Sequence, residues 1–440
     1  MPSLRTHLRR AVGVALVASP AALAAQTALT PAERAITTSV DTHNAEALAL
    51  LERLVNINSG TLNFAGVRQV GDVLRKEFDA LGFTTRWVDG AAFKRAGHLV
   101  AEHKGPGPKI ILIGHLDTVF EPSNPFQKFV RLNDSTAKGP GIIDMKGGDV
   151  VMLFALRALK DAGLLQSMNI VAVFHGDEEE AGEPLSAARK TLIDAAKGAA
   201  AAMGFEDGAG DPKTAVISRR SAGSWTLRTT GFPAHSGQIF TPEVGAGAVY
   251  EASRILTEFY KQLSNEQYLT FNPGLAIGGT LVKVDTTGVE GSGAGKRNVV
   301  AGTMTVTGDL RTLSPEQHAK AMRTMKTIVS TRNLPKTSAT ITFDDGYPPM
   351  APTEGNRRLL AMYDKASRDI GGSGVVAVDP SRAGAADVAF IASIVPMIID
   401  GIGLSGHDDH SDKETADLRM LPSQTKRAAL VLYRLRVVPR

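Results

Sequence analysis

Between residues 98 and 205, short and almost purely apolar runs alternate with longer amphipathic stretches, and few architectures accommodate that alternation. His98–Glu102, Ile110–Ile113, Ile170–Phe174 and Ala199–Phe205 read as strands, and Val395–Ile399 repeats the signature near the C-terminus. A strand with no polar face is covered on both sides, which is the habit of parallel sheets flanked by helices. Gly147–Ala162 carries Met152, Ala155, Leu156 and Leu159 at helical spacing and stops at Gly163. Pro31–Ile57 reads as one helix, and Val67–Leu81 as another closed by Gly82. The prediction is an α/β domain built on a mostly parallel sheet.

The middle of the chain has a different texture. Ser224–Thr230 alternates like a strand with one buried face, Pro242–Gln262 is helical, and Gly278–Val284 and Asn298–Arg311 are strands flanking the glycine-rich Gly288–Gly295. Ser314-Pro315-Glu316-Gln317 is a capping box opening a helix to about Arg332, and Thr337–Phe343 is a last strand. That order is β-α-β-β-α-β, the ferredoxin-like split unit, inserted between two halves of the α/β pattern. The expected division is a leader over 1–25, the two parts of the α/β domain over 26–220 and 335–440, and an insert over 221–334.

The leader rests on three features. Arg5, Arg9 and Arg10 precede the apolar run Ala11–Ala18, and Ala22 and Ala24 form an A-x-A site, the pattern of a cleaved export signal. A periplasmic or secreted protein is expected. The full chain has 440 residues and a formal charge of +4, which on its face suggests nucleic acid or anionic membrane. Removing Met1–Ala25 takes away three arginines and no acid, leaving +1, so neither partner is expected. The absence of cysteine excludes thiolate metal sites and cysteine nucleophiles. No G-x-S-x-G elbow follows a strand, which speaks against a serine hydrolase of that kind.

Ligands of open α/β sheets bind beyond the carboxyl ends of the strands, and there this sequence concentrates acids and histidines. His115 and Asp117 follow the second predicted strand, Asp144 lies in Gly139–Gly148 before a helix, and Asp177–Glu180 follow the strand ending at Phe174. Glu206 and Asp207 come after Phe205, and His407–Glu414 after the last strand. Each cluster alone would pass for a solvated turn. Five on one sheet edge would repel one another unless a cation offsets them. Imidazole and carboxylate without thiolate suit zinc, with cobalt or manganese as alternatives.

These motifs, H-x-D, G-x-x-D-M-K-G, D-E-E, F-E and H-S-D-K-E in order, resemble the co-catalytic zinc exopeptidases that include glutamate carboxypeptidase, acetylornithine deacetylase and succinyl-diaminopimelate desuccinylase. The resemblance covers nearly all of the chain after the leader, and in that family the insert is a lid and dimerisation domain. It implies two zinc ions bridged by Asp144, one completed by His115 and Glu206 and the other by Glu179 and His410. Asp117 would orient the His115 imidazole, and Glu178 would be the general base. Gly231–Gly237 resembles the lid segment whose histidine, here His235, stabilises the oxyanion, often in the partner subunit. Asn298 and Arg311 match positions that bind the substrate carboxylate, for which a guanidinium is well shaped.

One departure leaves an alternative open. Asp177-Glu178-Glu179-Glu180-Ala181-Gly182 has one residue more before glycine than the family's D-E-E-x-G, so anchoring on Gly182 would make the pair Glu179 and Glu180. The resemblance implies a carboxypeptidase acting on a small peptide or N-acyl amino acid, as a homodimer through the lid. A dipeptidase or N-acyl-amino-acid deacylase is the neighbouring alternative. A non-catalytic periplasmic binding module is the remote one.

Overall fold

The computed structural model describes residues 29–437, and the expected leader over 1–25 lies outside them. Six strands form the main sheet in the order Thr84–Asp89, Gly97–His103, Asn169–His175, Lys109–His115, Ala201–Gly204, Ile398–Ile399. The last four are mutually parallel and the first two pair antiparallel, so the sheet is mixed with a parallel centre. Ile110, Leu112, Ile170 and Ala172 point into one core, and Ile111, Ile113, Val171 and Val173 into a second on the opposite face. Two-sided burial is why these strands lack a polar face.

The larger core is covered by helices Lys146–Asp161, Met420–Leu435, Pro31–Thr42 and Asn44–Val55. Lys146–Asp161 is sandwiched so fully that its first eleven residues are all buried. The helix expected over 31–57 is two. It breaks at His43, within Asp41-Thr42-His43-Asn44, a run of weak helix formers. The first of the pair starts with a reciprocal cap in which Thr30 accepts from Glu33 N and Glu33 accepts from Thr30 N. The edge strand Thr84–Asp89 is absent from the sequence reading because its half-exposed Thr-Thr-Arg-Trp-Val-Asp run carries no continuous apolar signal. Only Ile398–Ile399 of the expected 395–399 strand pairs, since Pro396 has no N–H to give.

A second sheet belongs to the insert. Its strands Thr270–Gly279, Thr303–Arg311, Ala222–Thr230 and Ser338–Tyr347 lie in that order, all antiparallel, with helices Ala248–Leu263 and Pro315–Ser330 on one face. This is the ferredoxin-like arrangement, and it closes its own core around Trp225, Leu227, Phe259 and Met325. Five local expectations need correction. The insert runs past residue 334 to Tyr347, because Ser338–Tyr347 pairs with Ala222–Thr230. Its first helix starts at Ala248 and not Pro242, because Gly245 and Gly247 hold positive φ. The 278–284 run breaks at Thr280, where Leu281–Val284 leaves the sheet to pair with Gly291–Ala294, and the 298–311 strand is regular only from Thr303. At Ser314 only half of the capping box forms: Ser314 accepts from Gln317 N, while Gln317 reaches Leu313 N instead.

Among the described residues no helix is long and apolar enough to cross a membrane. Because the insert has a core of its own, Leu227→Ala should cost about 2–5 kcal/mol. Urea unfolding should place that loss in the insert while metal binding by the larger domain persists.

Candidate metal centre

The parallel strands deliver their carboxyl ends to one edge, and there the polar side chains meet. His115 ends its strand, Glu206 follows Ala201–Gly204, and Glu178 and Glu179 follow Asn169–His175. Asp144 stands just before helix Lys146–Asp161, across a cis Asp144–Met145 peptide. His410 arrives on a hairpin between Gly406–His407 and Thr415–Asp417, two short strands that pair with each other, the second pairing also with Thr136–Lys138. In that turn Asp408 and His410 both adopt left-handed backbone, with φ of 62° and 57°. Such positions cost a non-glycine residue about 1–3 kcal/mol and persist where the surroundings enforce them.

Asp144 sits between the two imidazoles. Its Oδ1 is 3.0 Å from His115 Nε2 and its Oδ2 is 2.8 Å from His410 Nε2. Glu206 Oε1 lies 3.6 Å from the same His115 nitrogen, and Glu179 Oε2 lies 3.1 Å from that of His410. The geometry gathers His115, Asp144 and Glu206 as one ligand set. Asp144 and His410 form another with Asp409, a carboxylate the sequence reading passed over. Glu180 turns away to Arg95, with Nη2 to Oε1 at 2.8 Å. Of the two anchorings of the acidic run, then, it is Glu179 that reaches the cluster.

Electrostatics mark the site as one that demands positive charge. Burial pushes Glu179 up to about 7, helped by Asp144, and burial likewise raises Glu206 and Glu178 well above the carboxylate range. Burial works against Asp144 ionising as well, but hydrogen bonds from His115 and His410 hold it below its usual value. Hydrogen bonds to Asp144 and Glu179 raise His410 to about 11. Glu179 Oε1 is buried with no hydrogen-bond partner. An orphaned carboxylate oxygen inside a ring of carboxylates and imidazoles fits a divalent cation.

The supporting shell is only partly what the sequence suggested. His115 Nδ1 points to the main-chain oxygen of Asp117 at 3.1 Å, nearer than the Asp117 carboxylate at 3.5 Å. That carboxylate is occupied elsewhere, accepting from Glu178 N, Glu179 N and the Thr61 hydroxyl at 3.0, 3.1 and 2.7 Å. Asp117 therefore clamps the acidic run as well as turning the imidazole. Glu414, the end of H-S-D-K-E, accepts from the N–H groups of Gly141, Ile143 and Asp144, fixing the loop that carries Asp144. Lys146 is fully buried, with Nζ donating to Ile57 O and Pro140 O, and burial pulls it down to about 8.

The cluster opens into a cleft of about 470 Å³ whose walls include Glu178, Asp207, Arg219 and Arg382. Arg219 is bound to Asp400, whereas Arg382 is exposed to the cleft. The lid residues stand apart from it. His235 is exposed, its Nδ1 accepting from Gly237 N at 3.2 Å, and its neighbour Ser236 donates to Asn298 O. Arg311 pairs with Asp309 of its own strand at 3.1 Å. Among the described residues no hydrogen bond or ion pair joins His235, Asn298 or Arg311 to the cluster.

A chain that folds this way around a carboxylate–imidazole cluster at the strand ends is a metallopeptidase by architecture. It belongs to the peptidase family M20/M25/M40, which it matches over residues 111–435. It is 29% identical over 385 residues to Carboxypeptidase G2 of Pseudomonas sp. (strain RS-16), covering 87% of each chain. Its fold is similar to that of aminopeptidase PepT from Bacillus cereus, with a TM-score of 0.69 at 19% identity over 89% of this chain and 98% of that one. It is similar also to the YXEP protein of Bacillus subtilis, a dinuclear metal-binding peptidase, with a TM-score of 0.61 at 14% identity over 90% and 99%.

Asp144→Ala should abolish metal binding at both positions, measured by metal content after dialysis. Glu414→Gln should weaken affinity by about 10–100-fold, the usual effect of losing a group that orients a ligand. Ligation requires deprotonated groups, so affinity should climb with pH from the region near 7, where Glu179 gives up its proton, and go on climbing above it while His410 still holds one.

Proposed function

We propose that this protein is an exported, two-zinc carboxypeptidase that hydrolyses the amide bond to a C-terminal amino acid, in the manner suggested by its likeness to Carboxypeptidase G2. The observation that carries the reading is the placement of Glu178. It lines the cleft beside Asp144 and Glu179, yet its carboxylate makes no ion pair with His115 or His410 among the described residues. A carboxylate at the cluster but not of it is where a proton carrier belongs.

His115, Asp144 and Glu206 would hold one ion, and Asp144, Glu179 and His410 the other, with Asp409 beside the second. Ions held there supply Lewis-acid polarisation of the scissile carbonyl and acidify water at the cluster. Zinc suits the donor set, and cobalt or manganese could replace it. Glu178 takes the proton of the attacking water on its carboxylate and passes it to the leaving nitrogen. Burial, which raises its affinity for protons, suits it to both steps. Arg382 offers the cleft a cation for the substrate's free carboxylate. His235 and Asn298, adjacent on the insert and without a hydrogen bond or ion pair to their own cluster among the described residues, serve the site of a second copy, which makes the enzyme a dimer through the insert.

The zinc-loaded protein should release a free amino acid from a panel of N-acyl amino acids and dipeptides, followed by mass spectrometry. Release from dipeptides alone would favour a dipeptidase, and from simple N-acyl amino acids alone a deacylase. Glu178→Gln should keep both metals and lose turnover by about 10²–10⁴-fold; unchanged turnover refutes the base. Mixing inactive His235→Ala and Glu178→Gln subunits should restore activity if the histidine acts across the dimer, and no recovery would place it elsewhere.

A further inference from the structure

The segments that enter and leave the insert run side by side. Arg219 N donates to Met350 O and Met350 N to Arg219 O, both at 2.9 Å. Tyr347 ends the insert's last strand just before this junction. There Gly346 has a φ of 44° and the ladder with Ala222–Thr230 is interrupted between Asp344 and Tyr347. The Tyr347 side chain leaves the insert and enters the catalytic domain. Its ring stands edge-on to Phe390 with centroids 4.9 Å apart, and the Arg189 guanidinium lies 5.4 Å from its centroid.

The Tyr347 hydroxyl donates to the main-chain oxygen of Glu178 at 3.1 Å and accepts from Arg189 Nη2. Arg189 cannot swing away. It is fully buried, with Nε on Asp387 Oδ1 at 2.6 Å, Nη1 on Asp177 Oδ1 at 2.7 Å and Nη2 also on Asp177 O at 3.0 Å. Asp177 in turn accepts from Gly182 N at 2.8 Å, closing the acidic run into a loop.

The two main-chain groups of Glu178 are thus held from different bodies. Its N–H is fixed by Asp117 of the catalytic domain, and its C=O by a residue that the insert carries. A side chain can be no better aimed than its backbone, and small displacements of a proton carrier cost rate steeply. We infer that Tyr347 is a positioning residue that ties the orientation of the inserted domain to the main chain bearing Glu178, so that the carboxylate is aimed only while the insert keeps its place. This rests on Glu178 being the base proposed above.

The test is Tyr347→Phe in the zinc-loaded full-length protein, assayed with the fastest substrate of the panel, N-benzoyl-L-glutamate being the first probe. The ring and its packing stay, and only the hydroxyl goes. Metal content and unfolding midpoint should be unchanged, KM should stay within twofold, and kcat should fall about tenfold, the worth of one well-placed hydrogen bond. A structural role alone would not survive the next comparison. In a Glu178→Asp background, where the carboxylate is already withdrawn, adding Tyr347→Phe should cost less than about twofold. Equal losses in both backgrounds, or an unchanged kcat in the single variant, overturn the inference. If the phenylalanine variant does not fold, Phe390→Leu withdraws the supporting ring, which also faces the Arg189 guanidinium at 5.6 Å, and removes no hydrogen-bonding group. It should then lower kcat without lowering metal content, and an unaltered kcat is the overturning result. Glu178→Gln with full turnover removes the base assignment whatever Tyr347 does. An inert Glu178→Gln beside an unaffected Tyr347→Phe removes the coupling alone.

Discussion

One carboxylate, that of Asp144, is shared between two imidazoles, and most of the architecture can be understood as what it takes to hold it there. Such a group must be buried enough to bind tightly, hydrogen-bonded enough to stay ionised, and surrounded by further acids that would otherwise repel it. No single element could carry all these side chains. A parallel sheet can, because every strand ends on the same edge, and His115, Glu179 and Glu206 are delivered from three neighbouring strand ends. Asp144 and His410, which follow no strand of that sheet, are brought in by the small sheet that joins 136–138 to 415–417 and by the three N–H groups converging on Glu414.

Two buried charge clusters stand back to back at this edge, and they obey opposite rules. Around Arg189, the carboxylates of Asp177 and Asp387 meet a guanidinium whose hydrogen bonds satisfy them, and His175 Nδ1 completes Asp387. In that cluster each carboxylate is bound to the one guanidinium. The one in front of it is left acid-rich, with a Glu179 oxygen that has no partner inside the protein. A closed network behind an open one lets the acidic run be stiff while still offering its oxygens to a ligand.

What could be read from the sequence followed from burial. Strands such as Ile110–Ile113 and Ile170–Phe174 declare themselves because both faces are apolar, and the acids and histidines stand out because they follow such runs. The ligand candidates His115, Asp144, Glu179, Glu206 and His410 were legible on that ground together with the family resemblance, and the structure gathers them within a few ångströms. The edge strand Thr84–Asp89 was not legible, since an exposed strand needs no apolar face. The reach of Asp117 to Glu178 and of Tyr347 to the same residue was invisible for another reason. Such contacts join positions far apart in the chain, and no local pattern encodes them. Asp409 was passed over because one acid among His407–Glu414 looks like any other until the turn fixes which of them lies beside Asp144 and His410.

Glu414 and the loop it holds also set an order of events during folding. Gly141, whose N–H it accepts, lies 273 residues earlier in the chain, and His410 belongs to the same late segment. A fragment that has already made the main-sheet strands as far as Ala201–Gly204 therefore carries His115, Glu206 and a loose Asp144, but neither the anchor nor the last imidazole. Closing so long a separation is slow and comes late. Tight metal capture then becomes a certificate of completion, withheld from every truncated chain, and an unfinished molecule carries no assembled peptidase centre to turn on its neighbours.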